Sequence, residues 1–149
     1  METLLFLPPA LGIFGLVIAF VLYNVVKSYD PGSDILRKIA DQIHLGAMVF
    51  MNREYKMLAM FSAVLIVLLA VFLNINTALA FTVGAVSSAL AGYIGMFTAT
   101  KANVRTTVAA NEKGSAAALS VAFYGGSIMG LTVASMGLLG LGALYFVLI

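Results

Sequence analysis

The stretch "YIGMFTATKANVRTTVAANEKGSAAALS", residues 93–120, lies between two long apolar runs. It holds Lys101, Arg105 and Lys113 against one acid, Glu112. The runs on either side are rich in Gly, Ala and Ser and carry no charge. The whole chain of 149 residues is 62% hydrophobic and only 9% charged, with a mean hydropathy of +1.09. Soluble domains average about 25% charged residues, so a water-soluble core is a poor explanation. The cationic strip reads instead as a polar connection between two membrane helices.

Working outward, four runs approach or exceed the roughly 20 apolar residues that a bilayer core requires. They lie at about 4–26, 57–73, 78–99 and 116–149, and the last is long enough to tilt or protrude. None has Asp, Glu, Lys, Arg or His in its interior. Pro8 and Pro9 fall near the start of the first run, where proline is tolerated. That run is preceded by Glu2 and followed by Lys27. A signal peptide carries its positive charge first, so a retained helix is expected. The fold class predicted is all-α: a single polytopic membrane domain with four transmembrane helices.

Charge placement orients it. Lys27, Arg37, Lys38, Arg53 and Lys56 lie between the first and second runs, and Lys101, Arg105 and Lys113 between the third and fourth. Together these are all 8 Lys and Arg residues of the chain. The opposite side has Glu2 and the short turn "NINT" at Asn74–Thr77. The excess of cations on cytoplasmic loops therefore predicts the N-terminus and Ile149 outside and both polar connections cytoplasmic. The first connection opens with the turn signal "YDPGSD". Ser33 is a candidate N-cap, and Asp34 suits the positive end of a helix. Ile35, Ile39, Ile43, Ala47 and Phe50 then recur at helical spacing, which predicts a cytoplasmic amphipathic helix over about 33–52. It is expected to run on through "NREYK" into the second span. Its apolar stripe could lie on the membrane surface or against the protein.

Several chemistries are excluded. No cysteine is present, so disulfides and thiolate ligands are absent. One histidine, His44, cannot form a multi-His metal site and reads as a solvated or interfacial side chain. A net charge of +2 gives no footprint for nucleic acid. Neither a phosphate-binding Gly-Lys-Ser/Thr loop nor HExxH occurs. Asp34 and Asp41 share a helical face near Asp30, but turn and solvated-face roles account for them. No catalytic, cofactor or metal residue is assigned. Buried ionisable groups usually mark an ion path, and these spans have none.

Small residues carry more information. Gly84, Ser88, Gly92, Gly95 and Ala99 step along the third run, and Gly126 and Gly130 form GxxxG in the fourth. Such spacing predicts close helix packing. Ser120, Ser127, Thr132 and Ser135 are expected to bond between helices. The terminal "GALYFVLI" is the ending expected of a piece of a longer protein.

Four segments carry a family resemblance. "AGYIGMFTATKANVRTTVAA" (91–110) closely resembles part of the membrane-bound inorganic pyrophosphatases, pyrophosphate-energised proton or sodium pumps. "GAMVFMNREYK" (46–56), "VAFYGGSIMGLTV" (121–133) and "GLLGLG" (137–142) agree in order, so the resemblance covers about residues 33–149. Tyr124 stands where the family commonly has a basic residue. The resemblance implies an all-helical homodimer with around sixteen membrane helices per subunit in two rings. It implies pyrophosphate hydrolysis with Mg2+, with K+ an open second requirement. The family's catalytic carboxylates and lysines lie on helices after the fourth, so none is carried over. This segment would belong to the outer ring, with the lipid bilayer and the remaining helices as partners. Lys101 and Arg105 would lie on the substrate side. Supporting the cytoplasmic loops there, anchoring to lipid headgroups and contacting pyrophosphate directly are all open roles. The rival reading is a stand-alone four-helix membrane scaffold without enzymatic activity.

Overall fold

The computed structural model describes residues 6–148. Glu2, the start of the first predicted span at residue 4, and Ile149 lie outside the described residues. Four helices are present among the described residues: α1 Leu7–Ser28, α2 Asp34–Phe72, α3 Ile75–Lys113 and α4 Ser115–Leu148. Each is long and apolar enough to cross a membrane. Pro8 and Pro9 begin α1, where a missing N–H leaves no helical bond unmade.

α2 and α3 have 39 residues each. At 1.5 Å per residue each is about 58 Å long, nearly twice the roughly 30 Å hydrocarbon core. The apolar run from 57 to 73 is therefore only the far half of α2. Residues 34–52 are the near half of one unbroken helix. Likewise the apolar run ends near Ala99, but α3 continues through the cationic strip to Lys113. From Thr100 to Lys113 the strip contains Ala, Lys, Arg and Glu, good helix formers, and no Gly or Pro. Lys101 and Arg105 thus stand on a helix and not in a loop. Gly114, at φ +82°, supplies the left-handed residue that separates α3 from α4.

The connections are short and specified. Asn74 caps α3: its Oδ1 accepts from the Thr77 N–H at 2.8 Å and from the Thr77 hydroxyl at 2.9 Å. Ser33 occupies the N-cap position of α2, but its hydroxyl makes no capping bond. Order in that turn comes from Asp30, whose Oδ1 accepts from the Gly32 N–H at 2.7 Å. Arg37 Nε donates to the Gly32 carbonyl at 3.0 Å. Gly32 has φ +81°, and a Cβ there would meet Val108 Cγ2 at 2.6 Å. Both the backbone and the neighbouring α3 therefore require glycine at this corner.

α4 packs along α1 and α3, α2 packs against α3, and a smaller contact joins α1 to α3. The core cluster is Ala19, Val26, Ala102 and Ile128, with Leu22, Tyr23, Tyr124 and Leu131 packed on it. Most buried positions are small, such as Ala78, Ala91 and Ala109, while large residues such as Phe14, Phe20, Phe61 and Phe72 point outward. That inversion suits a lipid solvent, where tails solvate Phe and Leu well and small residues let backbones approach.

Candidate functional site

Two kinds of predicted residue are placed by this bundle: the small residues at its seams, and the cations at one end.

Along the α3–α4 seam, Gly95 is buried against Met129, with Met129 Cγ 2.8 Å from where a Cβ would stand. Gly125 meets Ala102 in the same way at 2.7 Å. Gly92 faces α2, leaving room for the Tyr55 hydroxyl at 2.9 Å, which donates to the Ala89 carbonyl at 2.6 Å. A Cβ at Gly84, Gly126 or Gly130 would meet nothing within 4 Å. Ser88 is exposed and lines a groove with Gly84, Gly92 and Gly137. Two contacts escaped the sequence reading. Gly12 lies against the Ser135 carbonyl and Leu139, and Gly15 against the Ser135 hydroxyl, so α1 and α4 cross closely there. Gly12, Gly15 and Ala19 do recur at helical spacing in α1, and this was the available signal.

Two of the four hydroxyls expected to bridge helices bond within their own helix instead. Ser120 Oγ donates to the Ala116 carbonyl and Thr132 Oγ1 to the Ile128 carbonyl. The carbonyl one turn back is the nearest acceptor in an apolar setting and needs no second helix.

At the cationic end, Arg105 ties α3 to the end of α1. Its Nε donates to the Tyr29 carbonyl at 3.1 Å. One terminal nitrogen donates to the Lys101 carbonyl at 2.7 Å and the other to Lys27 at 3.4 Å. The Tyr29 and Lys27 carbonyls lie at the end of α1, where a helix leaves carbonyls unpaired, and a cation there also complements the macrodipole. Lys101 lies 4.0 Å from Asp41 Oδ1 on α2, a loose and exposed pair that contributes little stability. Beside it, His44 Nδ1 is 2.7 Å from Thr100 Oγ1, and its ring meets Phe97 edge-on at 5.1 Å. Partial burial holds the His44 pKa below its ordinary 6.5; Lys101 lowers it further and Asp41 opposes. The α1–α2 corner, α2 and α3 therefore meet through Arg105, Lys101 and His44.

The donor set does not suit Mg2+. Among the described residues, no three His, Cys, Asp or Glu side chains lie close enough to hold a metal ion. Asp30 is committed to its turn, and the aspartate nearest another charge is Asp41, beside Lys101.

The family model described as "Inorganic H+ pyrophosphatase" matches residues 13–149. The chain belongs to this inorganic H+ pyrophosphatase family. It is 43% identical over 140 residues to the K(+)-insensitive pyrophosphate-energized proton pump 2 of Moorella thermoacetica, covering 93% of this chain and 20% of that protein. It is 38% identical over 147 residues to the K(+)-insensitive pyrophosphate-energized proton pump of Methanosarcina mazei, covering 97% and 22%. It is 40% identical over 126 residues to the K(+)-stimulated pyrophosphate-energized sodium pump of Thermotoga maritima, covering 84% and 17%. The chain thus spans about a fifth of the length of the curated relatives it matches. As a pyrophosphatase-family segment it is similar to both proton and sodium pumps, and to both K(+)-insensitive and K(+)-stimulated ones.

Proposed function

We propose that this chain is the N-terminal, non-catalytic portion of a pyrophosphate-hydrolysing H+ or Na+ pump, packed around catalytic helices that lie elsewhere in the full-length protein. The observation that carries the proposal is the family match over residues 13–149, in a chain about a fifth as long as its relatives. Two features support the non-catalytic role. The described residues hold no cluster of carboxylates that could bind the metal ions needed to neutralise a phosphoryl group. The faces around Gly84, Gly126 and Gly130 are open and small enough for further helices to pack closely.

On this reading the bilayer surrounds the outer faces of α1–α4. The cationic end faces the cytoplasm, and the N-terminus lies outside, as the one-sided Lys and Arg distribution favours. The near half of α2 stands in the cytoplasm as the amphipathic segment. Lys101 and Arg105 support the cytoplasmic connections. Mg2+ is held by residues of the full-length pump, which assembles as a homodimer.

The test compares this chain with the full-length protein in liposomes. With Mg2+ and pyrophosphate, the full-length protein is expected to release phosphate and acidify or load the lumen. The isolated chain is expected to do neither. Phosphate release from the chain above background, lost when Asp30, Asp34 and Asp41 become Asn, would place the catalytic centre in this segment and overturn the proposal.

A further inference from the structure

α1 and α3 leave a groove with two chemically distinct parts. Its deeper part is an apolar cleft of about 410 Å³, lined chiefly by Leu16, Phe20, Tyr23, Ile94, Phe97 and Thr98. From Leu16 to Tyr23 it follows α1 for about 10 Å, a third of a hydrocarbon core. The next turn of both helices forms a second pocket of about 290 Å³, lined by Tyr23, Val26, Lys27, Lys101 and Arg105. Tyr23 lines both, so the two parts adjoin. Lys27 and Lys101 each stand one or two residues beyond the uncharged spans. This places the cations at headgroup depth and the cleft at acyl-chain depth.

The charge in the upper pocket is largely uncompensated. Arg105 spends its donors on backbone carbonyls, which leaves its positive charge in place. Asp41, 4.0 Å from Lys101, is the one carboxylate paired with any of the three among the described residues. Its own side chain is 74% exposed, so it screens weakly. Basic pockets beside membrane helices attract phosphate-bearing headgroups, and an apolar cleft directly beneath suits the attached chain.

We propose that this groove binds an anionic phospholipid, its phosphate against Lys27, Lys101 and Arg105 and one acyl chain along the α1–α3 cleft. The site rests on the membrane reading of the chain and not on pyrophosphate hydrolysis. Its occupant is a lipid of the leaflet at the cationic end.

The test titrates phosphatidylglycerol or phosphatidylcholine into the chain in uncharged detergent. Bound lipid is counted by native mass spectrometry, and helix content is followed by circular dichroism. Phosphatidylglycerol is expected to be retained more strongly. The double variant Lys27→Gln/Lys101→Gln, which leaves Arg105 holding α1, is expected to weaken retention about 25-fold, roughly fivefold per cation. Lys38→Gln/Lys113→Gln removes the same charge away from the pocket and is expected to stay within about twofold. Should the first double variant lose helix content, Lys27→Gln alone, at an exposed position, reads the fivefold effect. Soluble pyrophosphate and inorganic phosphate at matched ionic strength are expected not to displace the lipid. Equal retention of both lipids overturns the proposal, as does equal weakening in the two double variants. Displacement by pyrophosphate overturns it too, by making the pocket a soluble-polyanion site. The same preference must persist in the full-length pump; its absence there would mean that another helix fills the groove.

Discussion

At Arg105 a guanidinium stands in for the water that would otherwise satisfy the end of α1. Its reach to Tyr29 and Lys27 crosses from α3, so it ties a corner that the backbone alone would leave free. Bonds from a charged donor to carbonyls are worth about 1.5–3 kcal/mol each when well shielded. Arg105 is only half-buried, so Arg105→Gln is expected to cost about 1–2 kcal/mol in total. Faster proteolysis within Tyr29–Ser33, with the helices intact, is the measurement. Arg105→Lys is expected to recover less than half, because one ammonium cannot span both carbonyls. Unchanged cleavage in both variants would show that Gly32 and Asp30 hold the corner unaided. His44 gives the second residue-scale prediction. Its folded pKa is lowered, first by partial burial and then by Lys101. The unfolded chain therefore takes up a proton more readily than the folded one. The stability His44 contributes is present above its ordinary 6.5 and is lost as pH falls through the lowered folded value. The thermal midpoint is expected to drop as pH is lowered below about 6.5, and His44→Gln to flatten that drop. An identical pH profile in the variant would remove His44 as the cause.

At the scale of elements, the helices meet where a small residue faces a neighbour's backbone. Gly12 against the Ser135 carbonyl is the tightest such point on α1 that involves backbone. Gly12→Leu is expected to destabilise the chain by about 1–3 kcal/mol through overpacking. Gly130→Leu, with open space before it, is expected to change stability by under about 0.5 kcal/mol. Thermal unfolding in detergent separates the two, and equal losses would mean that α4 does not sit as described. The same comparison shows what the sequence could and could not convey. Helical spacing of Gly84, Ser88, Gly92 and Gly95 marked a small face on α3. It could not say that Gly95 meets α4, that Gly92 meets Tyr55, and that Gly84 meets neither. Lipid and protein interior are both apolar, so hydropathy cannot tell a seam from an outer face. The doublet Gly125–Gly126 shows the difficulty at its sharpest, since adjacent residues point about 100° apart and Gly125 alone meets Ala102.

At the scale of the whole molecule, the number of spans was legible because each needs a long uncharged run, and the four runs stand clear of the charges. The length of α3 was not, because a hydropathy run ends where the bilayer ends and a helix ends where its hydrogen bonds do; α2, expected to run on through "NREYK", is one helix over Asp34–Phe72. The partner order, α1 and α3 on either side of α4, depends on side-chain fit that no periodicity encodes. One whole-molecule quantity remains readable from both sources, the shared end of the two polar connections. Arg105 on α3 reaches Tyr29 after α1, and Lys101 lies beside Asp41 on α2, so those connections share one end of the bundle. Phe6 and Phe146 meet at 5.0 Å at the other. Every Lys and Arg lies toward the first end, and moving that many cations through a hydrocarbon core costs several kcal/mol per group. Lys38→Cys and Lys113→Cys are therefore expected to react with an impermeant maleimide from the cytoplasmic side only, and Asn76→Cys, in the first turn of α3, from the outside only. The three positions lie outside the packed seams, so labelling reads sidedness and not folding. Labelling of Asn76→Cys and Lys113→Cys from the same side would mean that α3 does not cross the bilayer.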